Sequence, residues 1–278
     1  MKRKIDWLSP LLRALTWGAA LVTLSLVVGL VGYVLVMGVP HLTPALFAWQ
    51  YNSTNVSMLP AIFSTLMMTL LSLLFAVPLG VGAAIYLVEY ARKGSPLVSL
   101  VRVTAETLSG IPSIVYGLFG MMFFVTQLKW GYSLLAGAAT LSIMILPLIM
   151  RTAEEALLSV PASYREGSFG LGAGRLRTVA RVALPAAAPG ILAGVILGVG
   201  RVVGETAALI YTAGTVAQMP TSLLKSVRTL SVHMYALSNE GLYVNQAYAT
   251  AAVLMALVVL INTLSMRVAR RIAKGSLS

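Results

Sequence analysis

The chain of 278 residues is 58% hydrophobic and only 10% charged, with a mean hydropathy of +0.89; a soluble globule carries roughly 25% charged residues, so that class is excluded and a polytopic membrane protein is indicated. There is no cysteine, and two histidines, His41 and His233, are too few for a histidine cluster, so disulfides and thiolate metal sites are excluded and no metal ligand is expected. The net charge of +12 would suggest nucleic acid in a soluble protein, but its placement here marks topology, and no nucleic-acid partner is expected.

Crossing ~30 Å of hydrocarbon takes about 20 apolar residues in a helix. Six segments qualify: roughly 14–38, 60–88, 109–127, 133–150, 186–214 and 247–266. Leu- and Val-rich runs without polar alternation predict helices rather than a barrel. The expected fold is therefore all-α, with six transmembrane helices. The first segment is too long for a plain signal peptide and lacks a small-residue cleavage site, so it reads as a retained span. Residues 1–58 form a tail, this span and an outer loop; residues 59–278 form the transmembrane core.

The third segment opens with SGIPSIVYG (109–117). Ser109 is an N-cap type, Pro112 suits a first helical turn, and Ser113 follows. A helix N-terminus turned toward a path through the protein would attract an anion. The plainer reading is a helix start packed against the fifth span. Glu89 and Glu106 flank the basic loop after span two and read as solvated, or paired with Arg92 and Arg102.

Between spans four and five runs RTAEEALLSVPASYREGSFGLGAGRLRTVARVALP (151–185). Its first helical stretch breaks at Pro161. Ser163 followed by Glu166 reads as a capped helix start, and the helix meets Gly170, Gly172 and Gly174. A second amphipathic piece sets Leu176, Val179, Val182 and Leu184 against Arg175, Arg177 and Arg181, ending at Pro185. Such a protruding pair of helices suits docking in a partner's groove or lying on lipid headgroups.

Span five runs 29 residues from Ala186 to Gly214, about 43 Å as a helix at ~1.5 Å per residue. It carries Gly190, Gly194, Gly198, Gly200 and Gly204. It tilts, protrudes, or breaks near Gly200 or Gly204, and its glycines also permit close helix packing. It holds Arg201 and Glu205. A lone charge at the bilayer centre costs at least ~2.5–3.5 kcal/mol, so these two pair, face a polar cavity, or both. At a spacing of four they share one helical face. They form either a fixed ion pair pinning helices or a charged lining of a transport path, where Arg offers a planar fork to oxyanion oxygens. Thr206, Tyr211 and Thr212 supply hydroxyls nearby, with helix packing their plainer role.

Lys and Arg divide unevenly among the loops. Sixteen fall in the N-terminus, the loops after spans two and four, and the C-terminus; Lys129, Lys225 and Arg228 fall on the other side, and Arg201 lies within a span. Positive charge marks the cytoplasmic side, so both termini are expected inside. No P-loop G-x-x-x-x-G-K-[ST] occurs, and no catalytic constellation is visible.

Within the loop, Glu166-Gly167-Ser168, then Gly172, then Val182-Ala183-Leu184-Pro185 resembles the EAA loop of ABC importer permeases in spacing throughout, with small residues at the two alanine positions and Val for Ile. The resemblance implies a type I (MetI-like) importer permease fold. It also implies that Arg165, Glu166, Gly167, Ser168, Gly172, Leu184 and Pro185 belong to a coupling helix region seated on an ATPase dimer. ATP and Mg would be bound by that partner, with no cofactor in this chain.

The strings AAIYLVEYARK (83–93), SGIPSIVYGLFG (109–120), GRVVGETAALIYTAGTVA (200–217) and TLSVHMYALSNEGLYVNQAYATA (229–251) resemble the A subunit of phosphate-transport (Pst) permeases. The resemblance implies a multi-pass protein of a bacterial or archaeal cytoplasmic membrane. It would be surrounded by lipid, paired with a C-type sister permease, and fed inorganic phosphate by an extracytoplasmic phosphate-binding protein at loops 40–58 and 215–246. Arg201, Glu205, Thr206, Ser109 and Ser113 become the expected substrate path. The alternatives are a permease for sulfate, molybdate or phosphonate, and an ATP-independent channel or secondary transporter.

Overall fold

The computed structural model describes residues 8–92 and 94–275, side chains being described through Arg267; Lys2, Arg3, Lys4 and Lys93 of the charge pattern lie outside them. The described residues contain helices and no strand. The long helices are α1 (Leu8–Gly38), α2 (Leu59–Ile85, prolonged by a π-helical turn Tyr86–Tyr90), α3 (Pro96–Ser109), α4 (Ser113–Gly120, prolonged by a π-helical turn Met121–Gln127) and α5 (Leu134–Leu158). The loop after α5 then holds α6 (Ala162–Gly170) and α7 (Arg175–Thr178), which continues through a π-helical turn Val179–Ala183 into α8 (Leu184–Gly204). Short α9 (Ala207–Thr212), α10 (Leu230–Glu240) and α11 (Val244–Gly275) complete the chain.

Five of these helices are long and apolar enough to cross a membrane, and α3 with α4 forms a sixth candidate bent by 101°. The expected third span, 109–127, is thus shorter than read. Pro112 has no N–H to continue α3, and the helix restarts at Ser113.

α5 is the central helix. Leu141, Ile145 and Ile149 are fully buried against Met68 and Ala76 of α2 and Val202 of α8. In lipid, helices gain no hydrophobic drive from meeting each other, so close contact through small residues matters more. A methyl added at Gly190 would meet Ala156, at Gly194 Thr152, and at Gly198 Ile149. The two number series run in opposite directions, so α8 lies antiparallel along α5 with one glycine per turn at the seam. This is the reason for the regular glycines of span five. Along α2 the buried hydroxyls of Ser64, Thr65, Thr69 and Ser72 each donate to the carbonyl four residues back, which satisfies their donors within the helix.

Pro185 does not end the second loop helix. The helix runs on from Arg175 to Gly204, and the wider π turn just before it accommodates a residue that cannot donate to the preceding turn. Ser163 is not the cap of α6: the helix starts at Ala162 after Pro161, with no side-chain cap bond. Its far end follows strict rules. The Gly172 N–H donates to Phe169 O and the Ala173 N–H to Ser168 O, a Schellman closure with Gly172 at φ +82°.

Glu89 finds another partner than the Arg92 expected, while Glu106 is exposed, in keeping with the solvated alternative. Glu89 pairs with Arg165 at 2.7 Å, Arg102 takes the buried Glu154 with an Nε contact of 2.7 Å, and Glu106 stands 4.0 Å from Arg151.

α1 is apolar and exposed from Ser9 to Leu30. It touches the rest at its last turns, where Tyr33 Oη meets Tyr248 Oη at 3.2 Å.

Candidate functional site

Span five is broken. α8 stops at Gly204, Glu205 is extended (φ −72°, ψ 130°), and α9 restarts at Ala207 after Thr206. The break removes the geometry that would have placed Arg201 and Glu205 one turn apart on one face. Glu205 is 8% exposed, and its Oε1 accepts the Ala208 N–H at 3.1 Å. The carboxylate therefore caps α9, where negative charge is favoured. The expected Arg201–Glu205 ion pair does not form. The ion pairs among the described residues join Arg102, Arg151 and Arg165 to glutamates. Arg201, half-buried in the last turn of α8, keeps its guanidinium out of all of them, within electrostatic reach of the Tyr116 hydroxyl.

The break is held from two sides. Ser231 Oγ donates to the Glu205 carbonyl at 2.6 Å. The Leu230 N–H donates to Thr65 Oγ1 of α2 at 2.8 Å. Opposite, α4 crosses α9 so closely that a Cβ on Gly117 would strike the Ala208 backbone. Thr206 lines a cavity of about 440 Å³ with Val34, Met234, Tyr235 and Tyr248. Thr212 is buried and bonds Ala208 O, a packing role; Tyr211 is half-buried.

The structure gathers Arg201, Glu205 and Thr206 around the break but gives the two serines lesser places. Ser109 is the last residue of α3, not a cap, and its hydroxyl bonds Ala105 O. Ser113 is in the first turn of α4, with Pro112 at the cap position. Ser231 and Tyr116 were not singled out by sequence. Tyr116 lies inside the noted SGIPSIVYG stretch, and its Oη donates to Leu108 O at 2.8 Å, bracing the bend between α3 and α4.

In the loop between α9 and α10, Arg228 is 5% exposed rather than a surface charge. Its guanidinium lies 5.0 Å from the Tyr51 ring centroid, a cation–π contact. Beside it His233 is fully buried. No group meets hydrogen-bond geometry at either ring nitrogen. Burial and then the Arg228 charge hold this imidazole down to about 3, with the Val56 backbone pulling the other way.

In the loop between α5 and α8, Glu166, Gly167 and Gly172 are exposed on or beside α6. Ser168 Oγ meets Thr178 Oγ1 at 2.8 Å. Arg165 turns inward to Glu89. Leu184 packs on the core cluster of Ala84, Leu87 and Leu157, and Pro185 lines an apolar groove with Val77 and Val81.

A helical core with a projecting helix between its fourth and fifth spans, and an ionisable break in the fifth, defines a multi-pass transport permease. Residues 76–276 match the family described as "Binding-protein-dependent transport system inner membrane component", and the chain belongs to that family. It is 33% identical over 243 residues to the "Probable ABC transporter permease protein YqgI" of Bacillus subtilis (strain 168), covering 80% of this chain and 81% of that one. It is 33% identical to "Phosphate transport system permease protein PstA 2" of Mycobacterium tuberculosis (strain CDC 1551 / Oshkosh), covering 80% and 75%. A chain of the inward-facing MetNI methionine ABC transporter superposes with a TM-score of 0.63 at 24% identity, covering 76% of this chain and 94% of that one. A chain of a bacterial importer of alginate superposes at 0.68 with 17% identity, covering 95% and 98%. The fold is that of the MetI-type ABC importer permeases.

Proposed function

We propose that this chain is the A-type transmembrane subunit of an ATP-driven phosphate importer, forming half of the translocation path. The observation that carries the reading is Arg201, a guanidinium beside a break in a span, engaged in no ion pair among the described residues, while one oxygen of its carboxylate neighbour bonds the backbone. A dehydrated oxyanion needs such donors, and a site of one cation leaves it free to depart. Phosphate is favoured by chemistry and by kinship. The hydrogen bond to Ala208 uses only Oε1 of Glu205, leaving Oε2 for a protonated phosphate oxygen; sulfate brings no proton and is repelled. Relatives covering most of the chain carry phosphate-transport names.

A sister permease completes the path. α6 and the Gly172 turn dock an ATPase dimer, which supplies the nucleotide chemistry that this chain has no P-loop for. An extracytoplasmic binding protein delivers the anion at loops 40–58 and 215–246, as the periplasmic protein of the alginate complex carries its ligand. Both termini face the cytoplasm. ATP-driven closure of the ATPase dimer turns the spans between inward-open and outward-open states.

The test is uptake of labelled phosphate into proteoliposomes holding the full complex. Uptake is expected to require ATP and to resist excess sulfate or molybdate. Uptake that persists without ATP, or is abolished by sulfate, overturns the reading.

A further inference from the structure

The inward-turned Arg165 suggests a role distinct from touching an ATPase. No residue of α6 is buried, and Tyr164, Phe169 and Leu171 stand exposed around it. Its side-chain bonds to the rest of the protein come from Ser168 and, far more strongly, from Arg165. Arg165 Nε and Nη2 donate to Glu89 Oε1 at 2.9 and 2.7 Å. Nη1 donates to Val160 O and Nη2 to Leu157 O, each at 2.9 Å. Leu157 is in the last turn of α5 and Val160 follows its C-cap Ser159, at the helix end where cations are favoured. Glu89 lies in the π-helical turn that ends α2.

We propose that Arg165 and Glu89 form a strut that passes displacement of α6 into α2 and α5, making both positioning residues for coupling; this rests on the reading of α6 as an ATPase-docking element. The side chains are 18% and 8% exposed, so the pair is little screened. A forked, charge-assisted contact that joins α6 to two other elements resists sliding where an apolar contact would yield. α2 and α8 both pack on α5, so a push on the end of α5 reaches the helix that carries Arg201. The exposed face of α6 is made of other residues, so docking and transmission are separable.

The experiment compares wild type, Glu89→Ala and Glu89→Gln in the full complex, reading phosphate taken up per ATP hydrolysed and retention of the ATPase through purification. Glu89→Ala is expected to keep the ATPase and its hydrolysis while uptake per ATP falls at least about tenfold, the size of a typical coupling energy. Glu89→Gln keeps an acceptor without the charge and is expected to fall between. An unchanged ratio in Glu89→Ala, or loss of the ATPase from its complex, overturns the strut. Should Glu89→Ala not assemble at all, a wild-type ratio in Glu89→Gln overturns it. A wild-type complex that transports a different anion overturns the phosphate reading alone, and the ratio is then read with that anion. A wild-type chain that recruits no ATPase overturns the docking reading and the strut together.

Discussion

The Glu205 carboxylate accepts the Ala208 backbone amide at 3.1 Å across the break between α8 and α9. This bond separates the carboxylate's structural work from its charge. Glu205→Gln keeps a carbonyl acceptor for the cap and removes the charge, so the fold is expected to hold while the preference for phosphate over sulfate narrows. Glu205→Ala removes the cap as well, at a cost of about 1 kcal/mol. Competition uptake and thermal melts of the two variants separate the effects. Equal discrimination in wild type and Glu205→Gln would confine Glu205 to capping.

Arg201 makes none of the ion pairs that hold the described helices together. Arg201→Ala and Arg201→Gln are therefore expected to leave assembly and melting temperature near wild type and to abolish uptake. Arg201→Lys keeps the charge but not the fork, and partial uptake is expected from it. Transport at the normal rate in the Ala and Gln variants would remove Arg201 from the path.

Much of this was legible in the chain. Apolar runs longer than ~20 residues located the spans because hydrocarbon thickness leaves helices few other lengths. The spacing from Glu166 to Pro185 located the projecting loop. The relation between Arg201 and Glu205 was not legible, since a spacing of four implies contact only if the helix continues, and it ends at Gly204. Pro185 misled for the opposite reason: a π turn carried the helix through it. The contact of Arg165 with Glu89 was not legible either, because the two lie 76 residues apart, beyond the reach of any local pattern. The burial of Arg228 depended likewise on Tyr51 folding over it.

Gly172 is required by backbone conformation rather than by space. Its φ is +82°, and an added Cβ would meet nothing within 4 Å. Substitution therefore costs left-handed strain, roughly 1–2 kcal/mol for a residue with a Cβ, without a clash. Gly172→Asn, tolerated in this region, is expected to dock the ATPase nearly as wild type. Gly172→Val is expected to loosen the end of α6 and weaken docking, and Gly172→Arg to block it by bulk and charge. Pull-down of the ATPase with the three variants checks this order; equal recovery from all three would take the turn out of the docking surface.

His233 makes the packing around α10 sensitive to acid. Its imidazole titrates near 3 in the folded chain, against about 6.5 when unfolded, because burial and the neighbouring Arg228 both oppose a second charge. Tyr51 packs edge-on to it and over Arg228. Between those two values the unfolded state binds a proton that the folded state does not, so stability falls as pH drops below about 6.5, by at most about 1.4 kcal/mol per pH unit. Above 6.5 both states are neutral and the effect is absent. The detergent-solubilised protein is expected to melt at lower temperature at pH 5 than at pH 7.5. His233→Gln, close in size and without a titrating group, is expected to flatten that dependence even if it lowers stability at neutral pH. A pH slope identical to wild type in that variant would place the acid sensitivity elsewhere.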